Sequence, residues 1–361
     1  MPDYRVFAAD LNRDRETILS LWRRNLKNTD KLEERFQWHF EQDPCGEGQC
    51  WLLEADGQPV GTASLGMRRL KVGDHIITAG IACDLAVEKQ HRFLRPALLL
   101  QQALLASLRP HVQLVYGFPG LAGAAILQRA GYRPICYVDR YAKALRLSPY
   151  LHRNIRLAPL ASVVGGLLDG AYVMFSSLRE RTHSNYRTEI VSDFDSRFDE
   201  LWKRVQHQYV ALTVRDSNFL RWRYRDYPLQ NYQTIALLSP DRCRLFGYLT
   251  YYVKDNCAVC ADVLAEPAPG ALHHLLSDWI EKARQASLSA LSIRCTARCG
   301  LQQALEDLRF LRRTKPESAT APKQGTRECS RPLLAYSSAP DSLSGPASHW
   351  YFTAGDEPYH L

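Results

Sequence analysis

The chain has 361 residues, more than one average domain, and its 46% hydrophobic and 23% charged residues exclude a wholly disordered polymer. The formal net charge of +8 is spread along the sequence and suits an anionic ligand such as a nucleotide cofactor. RNP-like, zinc-finger and helix-turn-helix patterns are all missing, which argues against nucleic acid as a partner. Met1 to Asp10 is polar without an apolar h-region, and ten cysteines lack regular spacing. Both features lead us to expect reduced thiols and a cytoplasmic protein.

In chain order, the first apolar periodicity is helical and contains Leu21-Trp22-Arg23-Arg24. Trp38-x-Phe40-x-x-x-Pro44 follows, then strands over Cys50–Ala55 and Pro59–Met67 around an Asp56-Gly57 turn. A long strand, His75–Val87, leads into a helix predicted to begin at Pro96, a residue that suits the first helical position. Leu98, Leu99, Ala103, Leu104 and Leu105 then recur at helical spacing. A short strand at Leu114–Gly117 and a helix at Ala122–Arg129 come next, with Gly131 as C-terminal cap. Ser148–Thr188 reads as a connector. Within it, Leu157–Phe175 is largely apolar but is broken by Pro159, Gly165, Gly166, Asp169 and Gly170. That pattern predicts a buried connecting helix, with a membrane-surface segment as the alternative and no spanning helix.

The second half repeats the first. Leu201-Trp202-Lys203-Arg204 answers the first Trp helix 180 residues later, and Trp222-x-Tyr224-x-x-x-Pro228 answers the Trp/Pro element 184 residues later. Strands at Gln233–Leu238 and Arg244–Tyr252 flank Ser239-Pro240-Asp241; Ala258–Leu264, helix Gly270–Ser287, strand Ala290–Arg294 and helix Gly300–Leu308 follow. Each copy therefore reads β-α-α-β-β-β-α-β-α-β, a mixed α/β pattern. The competing explanation is a pair of ordinary amphipathic helices, each with a core Trp. Thr314–Ser348 is rich in Pro, Ser, Ala and Gly and is expected to form a long mobile loop before a last strand over His349–Ala354. The expected division is 1–147, a connector 148–189, and 190–361 with the loop at 314–348.

Asp84-Leu85-Ala86-Val87 followed by His91-Arg92-Phe93-Leu94-Arg95-Pro96-Ala97-Leu98 resembles the GNAT superfamily of acyl-CoA-dependent N-acyltransferases. The family pattern there is Arg/Gln-x-x-Gly-x-Gly/Ala, opening a helix after a strand. Ala124-Ala125-Ile126-Leu127-Gln128-Arg129-Ala130-Gly131-Tyr132 is similar to the family's later helix. The resemblance covers most of 1–145 and, more weakly, 190–361. It implies two tandem GNAT-like domains of mixed α/β fold and an acyltransferase using acetyl-CoA or another acyl-CoA as cosubstrate. The acceptor would be a small-molecule or peptide amine, and no metal is implied.

By position, the backbones of Leu85 and Val87 would receive the pantetheine amides. Arg92, Phe93, Leu94, Arg95, Pro96 and Ala97 would hold the pyrophosphate at the helix start, where free N–H groups and the dipole favour an anion. Arg95 stands where the family has Gly. Its side chain could block close backbone approach, or its guanidinium could bind phosphate bidentately; solvated loop charges are the alternative. Asp84 is the candidate base, directly or through water, unless it simply pairs with an Arg. Asp262, 178 residues later, is its counterpart and suggests a shared structural role. Leu127 occupies the position of the Tyr that often serves as general acid in the family, which leaves Tyr116 as the catalytic candidate with Tyr132 nearby, although a half-buried core Tyr is the more usual reading of each.

In the second copy, Ala265-Glu266-Pro267-Ala268-Pro269-Gly270 has two prolines and lacks the pyrophosphate pattern, so substrate binding or scaffolding is expected there. No nucleophile stands out, so direct attack in a ternary complex is the expected mechanism. The rival readings are a catalytically inactive GNAT-like binding protein and a Fem-like transferase using aminoacyl-tRNA. Cys257-x-x-Cys260 with Cys295-x-x-x-Cys299 hints at zinc, but residues three apart on a strand point to opposite faces.

Overall fold

The computed structural model describes residues 2–27, 29–146, 186–296, 300–313, 330–337 and 350–359. The connecting segment Leu157–Phe175 lies outside them. Among the described residues no helix is long and apolar enough to cross a membrane.

The first half runs β1 (Tyr4–Ala8), α1 (Arg15–Asn25), α2 (Leu32–Phe36), β2 (Gln49–Ala55), β3 (Gln58–Val72), β4 (His75–Val87), α3 (Leu94–Ala106), β5 (Val112–Gly117), α4 (Leu121–Ala130) and β6 (Arg133–Ala144). The second runs β7 (Arg187–Val191), α5 (Ser196–Val205), β8 (Ala211–Thr213), α6 (Ser217–Leu220), β9 (Gln233–Leu238), β10 (Leu245–Lys254), β11 (Cys257–Ala265), α7 (Ala271–Gln285), β12 (Ala290–Thr296), α8 (Gly300–Asp307) and β13 (Leu311–Arg313). β14 (Ser330–Ser337) and β15 (Trp350–Tyr351) end the chain's strands. The fold class is mixed α/β as expected, and the element order of the first half recurs in the second with β8 added. A single π-turn follows α2 at Gln37–Glu41 and another follows α6 at Arg221–Arg225, so both Trp/Pro elements carry the same uncommon local geometry.

Two compact units emerge. The first comprises Met1–Val138, Tyr209–Asn231 and Arg331–Leu361, and the second Asp139–Gln208 and Tyr232–Ser330. They interleave along the chain, where the repeat suggests two successive blocks. In the first unit the strand order is β1-β2-β3-β4-β5-β14, with β8 antiparallel to the end of β3 and β15 parallel to β8. On one sheet face Leu53, Leu65, Val115, Leu100, Leu104 and Leu127 form a core under α3 and α4. On the other, Leu70, Ile81, Leu114 and Tyr116 pack with Ala211, Leu333, Ala335, Trp350 and Phe352. In the second unit β11 lies between β10 and β12, antiparallel to the one and parallel to the other, and α7 buries Leu275, Leu276, Trp279 and Ile280.

Three expectations are corrected. α3 begins at Leu94, with Phe93 as its extended N-cap, so Pro96 is the third helical residue; the first turn tolerates it because those N–H groups have no intrahelical partner. β3 continues to Val72 although Arg68 and Lys71 read as a polar end. Both are buried and find internal partners, Arg68 Nη1 in Asp43 at 2.9 Å and Lys71 Nζ in the Tyr209 carbonyl at 2.7 Å. Inside the predicted loop Thr314–Ser348 lies β14, whose Leu334–Ser337 pair antiparallel with Leu114–Gly117 of β5. Leu333, Leu334 and Ala335 give it a buried apolar centre that the surrounding Pro and Ser obscure.

Candidate active site

Parallel pairing between β4 and β5 ends at Ile81 and Tyr116. β5, whose other edge carries β14 along Leu114–Gly117, ends at Gly117, whereas β4 continues to Val87 against β3 alone. The strands thus part, and the notch opens into a cavity of about 470 Å³. Its walls include Ala82, Cys83, Asp84 and Leu85 of β4, Gln101 of α3, Gly123, Ile126 and Leu127 of α4, Arg35 of α2, and Tyr359.

A β-bulge arranges the β4 wall. Thr62 pairs with Ala86 and Ser64 with Cys83, so Asp84 and Leu85 together face Ala63. Asp84 takes the left-handed conformation, with φ +49°, which Asp tolerates better than most residues, and the Thr62 hydroxyl donates to its carbonyl at 3.1 Å. The regular alternation of a strand is therefore broken at this residue. The Asp84 carboxylate, 3% exposed, binds the buried Arg35 guanidinium through Oδ1 and accepts the Tyr359 hydroxyl at 2.7 Å through Oδ2. Arg35 lies over the Tyr359 ring at 3.8 Å.

Beside this pair, Cys83 Sγ lies 3.3 Å from His39 Nε2. His39, Cys83 and Asp84 offer ligand-type atoms all within 4.8 Å, but Arg35 and Tyr359 already hold both Asp84 oxygens. Burial, reinforced by the Arg68, Arg35 and Arg223 charges, lowers the His39 pKa well below its usual range. Burial and the Asp84 charge push the Cys83 thiol well above its own. The two meet as a neutral thiol and a neutral imidazole. Burial, and then Asp84, likewise raise the Tyr359 phenol, which stays a hydrogen-bond donor.

The other predicted residues divide clearly. Leu85 lines the cavity. Arg92 turns back along its own loop, donating to the Val87 carbonyl at 2.8 Å and to Asn25 Oδ1 at 2.9 Å. Phe93 and Leu94 are exposed at 51% and 41%, Arg95 is exposed at the start of α3, and Pro96 and Ala97 are buried. Tyr116 is not brought together with Asp84. Its side chain is fully buried in the core on the other sheet face with Phe118 and Phe352, and burial raises its phenol. Tyr132 is buried at the end of α4 and donates to Gln101 at 3.3 Å.

Arg35, His39, Cys83 and Tyr359 were missed. Arg35 and His39 stand four apart around the Trp38 anchor, on one helical face, and that spacing was the available signal. Tyr359 is 275 residues from Asp84 and leaves no local trace.

The second unit also has β11 leaving β12, after Cys260 and Ile293. There Asp262 is buried and accepts the Tyr248 hydroxyl at 2.7 Å, and Glu266, at the entry to α7, binds Arg204 and Arg244.

No family model and no curated protein matches the sequence. Among solved structures, a probable N-acyltransferase of Enterococcus faecalis V583 is similar with a TM-score of 0.64 and 11% identity, over 95% of this chain and 75% of that one. A GCN5-related N-acetyltransferase from Kribbella flavida gives a TM-score of 0.59 at 11% identity, over 94% and 72%. The N-myristoyltransferase of Saccharomyces cerevisiae, determined with bound myristoyl-CoA, gives 0.56 at 14% identity, over 92% and 79%. The chain thus has the fold seen in GCN5-related N-acetyltransferases and N-myristoyltransferases.

Proposed function

We propose that this protein moves an acyl group from an acyl-CoA, acetyl-CoA or a longer thioester, to a small-molecule or peptide amine in the cavity of the first unit. The observation that carries the reading is the parting of β4 from β5 at Ile81 and Tyr116, over a cavity walled by a buried, polarised carboxylate. In such a notch the edge of β4 left by β5, at Leu85 and at the N–H of Val87, can add pantetheine amides as a strand would, the Val87 carbonyl being held by Arg92. The start of α3 offers N–H groups at Leu94 and Arg95 to pyrophosphate, Pro96 having none and Ala97 lying where the first intrahelical bond to the Phe93 carbonyl forms. The amine attacks the thioester directly, with Asp84 accepting its proton, alone or through water.

The recurring element order, and two π-turns whose Trp38 and Trp222 rings stack at 4.2 Å with reciprocal N–H to carbonyl bonds of 2.9 and 3.0 Å, support a tandem origin for the two halves of the chain. The second copy then serves as scaffold or acceptor-binding part. Pro267 and Pro269 remove two N–H donors ahead of α7, so residues 190–361 alone should show no acyl-CoA affinity; Glu266, held by Arg204 and Arg244, answers Glu88 of the first copy, held by Arg24. A second reading, an acyl-CoA-binding protein without turnover, is favoured by Arg92, whose guanidinium already serves Val87 and Asn25.

Calorimetry with acetyl-CoA and a long-chain acyl-CoA tests the proposal. Micromolar binding is expected, lost in Gly123→Trp, which puts an indole at the cavity wall while replacing a weak helix former. Absence of binding by the intact chain would sink the acyl-CoA reading; binding without transfer to any amine in a broad screen would leave the inactive binder. Strongly salt-dependent tRNA binding would instead support the aminoacyl-transferase alternative.

A further inference from the structure

We infer that Cys83 is an acyl-accepting nucleophile of this cavity, with His39 as its base, and that it takes the acyl group from the CoA thioester when no amine is bound. The inference rests on the acyl-CoA reading and adds a covalent site to it. Cys83 lines the cavity wall with 9% exposure, and its Sγ is 3.3 Å from His39 Nε2. At that separation Nε2 can receive the thiol proton as Sγ bonds to the thioester carbon; both groups are neutral at rest, so the transfer belongs to the attack itself and no free thiolate precedes it.

His39 is not accounted for as an ordinary core histidine. It is fully buried, and its Nδ1 has no partner among the described residues, an unfavourable condition that packing alone does not explain. The ring also needs room cut for it. A Cβ on Gly66 would lie 2.4 Å from His39 Cε1 and 2.9 Å from Nε2, so only glycine at 66 lets the imidazole reach Cys83. In the same wall the Arg35 guanidinium, 1% exposed and held by Asp84, is a fixed positive charge that favours an oxyanion formed on the thioester carbonyl.

The step balances without an added reagent. The Cys83 thiol proton passes to Nε2 of neutral His39 as Sγ bonds to the thioester carbonyl carbon. The carbon–sulfur bond to CoA then breaks, and the departing thiolate takes the proton from His39. The products are S-acyl-Cys83 and free CoA. One thioester replaces another, so the adduct should accumulate with excess acyl-CoA and be reversed by free CoA.

The test is intact-mass and peptide-level mass spectrometry of the full chain after incubation with acetyl-CoA, without amine, alongside calorimetry on every variant. One hydroxylamine-labile acyl group is expected on the Cys83 peptide, removed by excess CoA, absent in Cys83→Ser and formed on the order of 100-fold more slowly in His39→Gln. Gly66→Ala, which leaves both reacting residues in the chain but displaces the ring, should slow it too. Acetyl-CoA binding with no adduct, or with the adduct on another cysteine, would overturn the inference while leaving the proposed function intact. No acetyl-CoA binding would overturn both.

Discussion

Asp84 holds Arg35 and Tyr359 on its two oxygens, so its structural and chemical contributions must be separated before either is measured. Both side chains of the Asp84–Arg35 pair are almost wholly buried, 3% and 1% exposed. Asp84→Ala leaves a buried guanidinium without its counter-charge, and a loss of about 3–5 kcal/mol in urea unfolding is expected. Arg35→Met/Asp84→Ala removes both charges and should recover most of that loss. If the carboxylate is also the base, turnover will not return with stability; recovery of both would reduce Asp84 to a structural partner.

His39 carries a pH-dependent signature of its own. Its folded pKa is depressed, first by burial and then by Arg68, Arg35 and Arg223, whereas in the unfolded chain it titrates near 6.5. Its contribution to stability is therefore present above pH 6.5 and lost as pH falls toward the depressed value, by up to about 1.4 kcal/mol per pH unit. Asp43 works in the opposite direction. Burial, opposed by Arg68, pushes its carboxyl up to about 6, so acidification through that range favours the folded state. In the wild type the two partly cancel. His39→Gln should therefore gain stability relative to wild type as pH is lowered from about 7 to about 5. Urea midpoints that run parallel in both proteins would show that His39 is not held neutral.

At the scale of elements, legibility tracked how local the cause was. The hairpins, the His75–Val87 strand and the Gly131 cap, with φ +109°, follow from turn chemistry and periodicity within a few residues. The Trp pattern marked both π-turns without disclosing that Trp38 and Trp222 stack on each other. The end of β3 was hidden because Arg68 and Lys71 find their partners at Asp43 and Tyr209, far along the chain. The bulge at Asp84 was hidden for a related reason. Nothing in Cys83-Asp84-Leu85 departs from a strand pattern, and the extra residue shows only in the register against Thr62 and Ser64. That bulge lets consecutive residues, which a regular strand would send to opposite faces, gather Cys83 beside His39 and Asp84 beside Arg35. The cavity wall was thus visible in the sequence as residues and invisible as an arrangement.

At the scale of the molecule, the interleaving of the units determines which parts of the chain the acyl-CoA site needs. Residues 1–145 include every predicted cofactor residue, yet the first unit also requires Tyr209–Asn231 and Arg331–Leu361. Without them β5 loses β14 along Leu114–Gly117 and presents an open edge in the middle of the sheet. Leu70, Ile81, Leu114 and Tyr116 lose Ala211, Leu333, Ala335, Trp350 and Phe352, a whole apolar layer. Trp38 loses its stacked partner, and Asp84 loses the Tyr359 hydroxyl. Each buried aromatic or leucine so exposed forfeits about 1.5–3 kcal/mol, and a handful of them exceeds the whole margin of an ordinary domain. Residues 1–145 expressed alone should therefore show no cooperative thermal transition and no acyl-CoA binding, and co-expression with 186–361 should restore both. A folded 1–145 fragment that binds acyl-CoA as the full chain does would mean that the C-terminal segment only covers a site the first half completes by itself.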